Sequence, residues 1–152
     1  MQARLNFYYG FIYPYFTYNV AIWGSASQTT INPLIIQQKR IIRTICNANK
    51  YDHTSPLFYR LKIMKLSDIF KYQLSLYMYG SFGEGQYRIL HSIPTRNRNL
   101  AQPSYQRLST SQHAVSYQGP MVWNSLPLEI RNITGLSTFK KKLKMHLIST
   151  YA

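Results

Sequence analysis

A chain of 152 residues holds one modest core or two small helical lobes, and its single Cys46 excludes an internal disulfide, a cysteine-based zinc site and a disulfide-stapled secreted domain. Hydrophobic residues make up 45% of it and charged residues only 14%, with 18 Lys and Arg against four acids, for a net charge of +14. Self-repulsion on that scale opposes a compact state unless a polyanion neutralises it, so nucleic acid is the first partner to consider and an anionic membrane surface the second.

Residues 3–22 read as a helix, bent or interrupted at Pro14. Residues 5–38 carry no charge, yet five Tyr between residues 5 and 23, with Asn6, Gly10, Pro14, Thr17 and Asn19, make a poor membrane span. Asn32-Pro33 reads as a helix start, an N-cap followed by proline in the first turn. On the wheel of the helix that follows, to about Cys46, Leu34, Ile35, Ile41, Ile42, Ile45 and Cys46 fall in an arc of roughly 140° at about 100° per residue. Lys39, Arg40 and Arg43 occupy the neighbouring arc, so an apolar docking face lies beside a cationic flank.

Ser55-Pro56 predicts a short helical turn through Arg60. Ser67-Asp68 predicts a capped helix running to Gly80, whose glycine suits a left-handed stop, and the apolar residues nearly encircle it, as in a central helix. Gly83-Glu84-Gly85 reads as a turn. From His91 to Gln118 the pattern weakens to a loop with one or two short strands, around Tyr105 and Val115. Pro120, Trp123, Leu126 and Pro127 suggest a compact aromatic turn. A last helix, capped by Ser137 or Thr138, runs to about Ser149, with Phe139, Leu143 and Leu147 on one face and Lys140, Lys141 and Lys144 along the adjoining arc. The fold class is therefore mainly α.

Catalysis finds little material. Two-metal phosphoryl transfer gathers several carboxylates about two ions, and Asp52, Asp68, Glu84 and Glu129 stand in separate segments. Asp52 follows Tyr51 but precedes His53, so no aromatic-x-Asp-Asp polymerase signature exists. Asp52, His53 and Ser55 contain the residue types of a hydrolase triad, but so close in sequence they read as turn and cap residues before Pro56. His91, His113 and His146 lack metal-ligand spacing. No catalytic residue, metal or cofactor is nominated.

Several segments, in order, resemble the region carboxy-terminal to the polymerase domain of jockey-like non-LTR (LINE-type) retrotransposon reverse transcriptases. They are Ile12-Tyr13-Pro14-Tyr15-Phe16-Thr17-Tyr18 with Trp23-Gly24, then Gln38-Lys39-Arg40-Ile41-Ile42-Arg43. His53-Thr54-Ser55-Pro56-Leu57-Phe58 follows with Leu61 and Ile63, then Asp68-Ile69-Phe70 and Gln73. Thr95-Arg96, Tyr117-Gln118-Gly119-Pro120, Trp123-Asn124-Ser125-Leu126-Pro127 and Phe139-Lys140 complete the series, over nearly the whole chain. The resemblance implies a small thumb-like helical bundle at residues 1–50, a helical segment packing on it at 51–90, and a basic carboxy-terminal extension at 91–152, irregular with short β strands and a terminal helix. Lys39, Arg40 and Arg43 would face a template–primer backbone, and Arg96, Lys140, Lys141 and Lys144 would serve the extension.

Met1 falls at about the start of the implied thumb, which leaves out the palm and endonuclease, and residues 80–91 are shorter than the family's usual connection. The expectation is a non-catalytic remnant of an RNA-directed DNA polymerase that binds RNA, DNA or hybrid duplex. Its other implied partner is the polymerase palm of the parent polypeptide, with no small-molecule substrate, and its implied setting is a nuclear or cytoplasmic ribonucleoprotein rather than the secreted space. Two further readings stand beside it. One is a host-adopted basic structural or interaction domain binding RNA or protein; the other is a membrane-associated basic protein anchored by residues 5–23.

Overall fold

The computed structural model describes residues 1–83, 100–108 and 111–151. They form α-helices joined by short turns: α1 (Gln2–Phe7), a π-helical turn (Tyr8–Ile12), α2 (Tyr13–Thr17), α3 (Val20–Trp23), α4 (Gln28–Cys46), α5 (Ser55–Leu61) and α6 (Leu66–Gly83), then α7 (Val115–Ser125), α8 (Leu128–Arg131) and α9 (Leu136–Ser149). The mainly α class holds. By contact the chain divides into two units, Met1–Phe70 with Lys144–Ala152, and Lys71–Leu143, so the boundary falls inside α6 and α9.

Three prolines locate the differences from the expected elements. The break in the first segment lies not at Pro14 but at Tyr18, which is extended, and Asn19, which is left-handed at φ 48°. Pro14 has no N–H for the carbonyl four residues back, and the chain absorbs this by widening the preceding turn, where the Tyr13 N–H reaches the Tyr8 carbonyl. At the real break the Trp23 indole N–H donates to the Tyr18 carbonyl at 2.6 Å. No helix among the described residues is long and apolar enough to cross a membrane, and residues 5–23 are split among four short elements.

Pro33 does not open its helix either. α4 starts at Gln28, where the Ser27 carbonyl accepts the Thr30 and Ile31 N–H groups at 2.9 and 3.1 Å. Pro33 stands inside the helix, where it removes one i→i−4 bond at a cost that α4 bears, so Asn32-Pro33 does not mark the start. Gly80 is no stop: α6 passes through it to Gly83, and a Cβ at Gly80 would meet open space.

Residues 115–125 correct the expectation of a strand and an aromatic turn. They form α7 with Pro120 inside it, and Gly119 just before it relieves the clash that a Cβ would make with the proline ring. Gly119 is required for a second reason, since a Cβ there would stand 2.8 Å from the Met78 sulfur. No strand forms among the described residues. At Ala101, which makes an isolated backbone bridge, the Asn124 amide adds two bonds, accepting its N–H and donating to its carbonyl at 2.9 Å each. In the same unit Phe139 is buried against Tyr79, with ring centroids 4.4 Å apart, and against Trp123.

In the unit formed by residues 1–70 and 144–151, the core holds Tyr8, Phe16, Val20, Ile42, Ile45, Phe58, Ile63, Met64, Leu66, Ile69, Leu147 and Ile148. Gln38, only 1% exposed, stands among them. Its Nε2 donates to the Met64 carbonyl at 3.0 Å and to the Tyr8 hydroxyl at 3.3 Å, and its Oε1 accepts the Leu66 N–H at 2.9 Å. A second buried node joins Tyr151, whose hydroxyl donates to the Asp68 carboxylate and accepts the Lys65 N–H at 3.0 Å. The Lys65 ammonium lies 4.2 Å from the centroid of the Tyr151 ring and donates to Ser55 at 3.0 Å.

Gln38→Leu keeps the volume but leaves the Met64 carbonyl and the Leu66 N–H buried without this partner, which is expected to cost roughly 2–5 kcal/mol. Chemical denaturation reads it, and a loss well under 1 kcal/mol would reject the node's importance. Burial, only partly offset by the Gln38 amide, pushes the Tyr8 hydroxyl up from 10.0 to about 12. Burial first, then the hydrogen bond to Asp68, also raises Tyr151. Both hydroxyls are thus held protonated by the fold, so stability should be intact below pH 10 and fall as pH climbs toward about 12. Denaturation midpoints across that range, with tyrosinate absorbance, check the sign, and a flat profile would contradict it.

Candidate nucleic-acid interface

The carboxy-terminal end of α4 gathers cations from three stretches of chain. The helix stops because Asn47 turns left-handed at φ 52°, a conformation asparagine tolerates, and the Ala48 N–H then reaches the Arg43 carbonyl at 3.0 Å. The loop beyond folds back on itself, with the Asn49 N–H donating to the Asp52 carboxylate at 2.7 Å. That places the Asp52 carbonyl where the Arg43 guanidinium donates to it through Nε and Nη2, at 3.1 and 3.0 Å. Arg4 reaches the same region from α1, donating to the Thr44 carbonyl at 2.9 Å and to the Asn47 side chain. Cations suit this end of a helix, where unpaired carbonyls carry partial negative charge.

The result is a groove of about 450 Å³ lined by Arg4, Arg40, Arg43 and Lys50 with Thr44, Asn47 and Ala48, and no carboxylate is in the lining. Arg4, Arg40 and Lys50 are exposed and Arg43 is half-buried. Arg43 and Arg4 are oriented by neutral carbonyl and amide oxygens. Each guanidinium has five N–H donors; Arg43 uses two on the Asp52 carbonyl, and the rest remain for an anion.

The expected site residues do not all meet here. Arg40 and Arg43 share the groove, whereas Lys39 turns the other way and lines a separate cavity of about 280 Å³ with Gln38, His53, Ser55 and Lys65. Arg96 lies outside the described residues. Lys140 and Lys141 are exposed on α9 in the second unit, as is Lys142, while Lys144 is half-buried and belongs to the first. Arg4 and Lys50 were missed by the sequence reading. Lys50 could have been found as a cation just past the helix stop, but Arg4 reaches the groove only through the tertiary fold, 40 residues from Thr44 in the chain.

Aromatic residues split between core and surface. Tyr8, Phe16, Phe58, Trp123, Phe139 and Tyr151 are buried, whereas Phe7, Phe11, Tyr15 and Tyr18 leave half or more of their surface exposed along the first segment. Next to the basic groove is a second hollow, of about 310 Å³, lined by Phe7, Ile12, Ile41, Ile45 and Thr44. Arg4 and Arg40 line both. Among the described residues no three His, Cys, Asp or Glu side chains gather closely enough to hold a metal ion. Comparison of the chain with protein-family models, with curated proteins and with solved structures finds no match.

The geometry separates two neighbours on α4. Arg40→Glu should flatten the salt dependence of binding to a polyanion such as heparin by about one contact, while Lys39→Glu should leave that slope nearly unchanged. Equal slopes for the two variants would show that the groove is not the contact surface.

Proposed function

We propose that this chain is a non-catalytic, nucleic-acid-binding piece of a jockey-like LINE-type reverse transcriptase, and that it holds the phosphate backbone of template–primer or target nucleic acid in the groove of Arg4, Arg40, Arg43 and Lys50. The observation that carries the reading is that groove: four cations and no acid in its lining, two of them fixed by hydrogen bonds to the helix end and the loop beyond it. Fixed cations lose little conformational entropy on meeting phosphate, and a carbonyl-held guanidinium still carries its whole charge into the contact. The ordered series of motifs in the sequence supports the family reading, and the groove supports a phosphate contact.

The non-catalytic part of the reading rests on how the acids are used. Asp68 is buried and accepts the Tyr151 hydroxyl, and Asp52 accepts the Asn49 N–H in an exposed turn. Among the described residues no three His, Cys, Asp or Glu side chains gather to hold a metal ion.

Neutralising three to four phosphates of B-DNA should make log K fall against log salt with a slope of about −3 to −4. Arg40→Glu/Lys50→Glu is the informative variant, because both residues are exposed and neither side chain donates to the protein among the described residues. It should weaken binding to unrelated duplexes alike and lower the slope by about two, since phosphate contacts carry no base information. Salt titrations on two unrelated duplexes read both quantities. Weak, salt-insensitive binding, or a variant as tight as the parent, would reject the reading and leave a host-adopted interaction domain in its place. The purified chain should also incorporate no nucleotide on a primed template with Mg²⁺ or Mn²⁺; incorporation abolished by Asp52→Asn would overturn the non-catalytic claim.

A further inference from the structure

We infer that the apolar hollow beside the basic groove is a subsite for one unpaired nucleobase, so that the chain prefers nucleic acid with a single-stranded segment over a fully paired duplex. The inference rests on the groove being the phosphate site and adds the part of the ligand that the groove does not contact.

The argument starts from the shared rim. Arg4 and Arg40 belong to the lining of both the groove and the hollow, so a ligand filling the hollow has its anionic end among the cations without any rearrangement. The hollow itself is apolar: Phe7, Ile12, Ile41 and Ile45 form its walls. At about 310 Å³ it is at the lower end of the sizes that hold a small organic group. The ligand must therefore join a compact apolar body to an anion at short range, and a nucleotide within a strand does so at every residue.

The ring selects among apolar bodies. Phe7 lines the hollow, is 56% exposed and stacks on Phe11, with centroids 5.0 Å apart and planes inclined by 30°. An accessible aromatic face is the element on which unpaired bases stack, and it favours no particular base because every base has a π face. The isoleucine walls present no donors or acceptors to read base edges, so the site is sequence-tolerant. A base inside a duplex is stacked on both faces and must first be extruded, which disfavours paired substrate. An alkyl carboxylate could also fill an apolar hollow beside an arginine, but it would need one cation rather than a basic groove and would gain nothing from the ring's flatness.

The test uses the full chain with a labelled single strand and a blunt duplex of equal length, at matched salt. Phe7 is exposed, so its replacement leaves the core intact. Phe7→Leu keeps an apolar wall but removes the π face, and should weaken single-strand binding about tenfold while leaving duplex affinity unchanged. Phe7→Trp should retain or strengthen single-strand binding, and its added tryptophan emission should be quenched by the single strand and not by the duplex. A wholly abasic strand of the same length should lose the difference between parent and Phe7→Leu. If Phe7→Leu binds both ligands as the parent does while Arg40→Glu/Lys50→Glu weakens both, the base subsite is overturned and the groove stands. If the parent binds neither ligand, the groove reading fails and the subsite with it. Saturable binding of a medium-chain fatty acid that Phe7→Leu abolishes, with single-strand affinity unmoved, would assign the hollow to an acyl chain and overturn the proposal.

Discussion

One carboxamide sets the geometry of the unit that holds the groove. Gln38 sits in the core with its amide engaged to the Met64 carbonyl, the Leu66 N–H and the Tyr8 hydroxyl. Those partners belong to the entry into α6 and to the π-helical turn, so one side chain ties three pieces of backbone that hydrophobic contact alone would let slide. Apolar packing is non-directional, whereas an amide buried with fixed partners accepts one arrangement of them. The rotation of α4 is thereby fixed. Because Gln38 faces inward, Arg40 and Arg43 face the groove, Ile41 faces the apolar hollow and Lys39 turns to the far side. Placement of the cations follows from a neutral residue in their midst.

The same residue shows what was legible in the sequence and what was not. The apolar arc on α4 was readable, and Ile42 and Ile45 within it are buried as periodicity predicts. Gln38 falls inside that arc on the wheel, and a polar residue in the middle of an apolar stripe was the available sign of a buried bond. Start signals located α5 and α6, at Ser55-Pro56 and Ser67-Asp68, and the apolar face of Phe139, Leu143 and Leu147 located α9, because a helix that packs on one side must repeat near 3.6 residues. Helix ends were harder. Pro33 and Gly80 look like punctuation, yet each stands inside its helix: the proline removes one backbone bond and the glycine costs only about 1 kcal/mol, and packing along α4 and α6 outweighs both. The expected strand around Val115 gave way to α7, whose Gly119 lies against Met78, a close approach that no local pattern reveals.

The candidate groove was half readable for a related reason. Arg40 and Arg43 lie on one helix, and helical spacing is local information. Arg4 and Lys50 join them through the path of the chain, which spacing does not encode. Sequence therefore supplied the sign and abundance of charge, while the fold decided which charges act together. The hollow beside the groove was not legible at all, because its wall residues Phe7 and Ile41 read as ordinary apolar positions in separate helices.

The unit that carries the groove is not continuous in the chain. It comprises Met1–Phe70 and Lys144–Ala152, with Lys71–Leu143 between, and its Asp68–Tyr151 bond joins residues 83 apart. During synthesis this has a kinetic meaning. At about 5–20 residues per second, the interval between the emergence of Asp68 and of Tyr151 is on the order of ten seconds. Throughout that time Asp68, Phe58 and Lys65 lack the ring and hydroxyl that cover them in the finished unit. Every residue that lines the cationic groove, from Arg4 to Lys50, is thus synthesised before the Tyr151 that closes the buried node of the same unit.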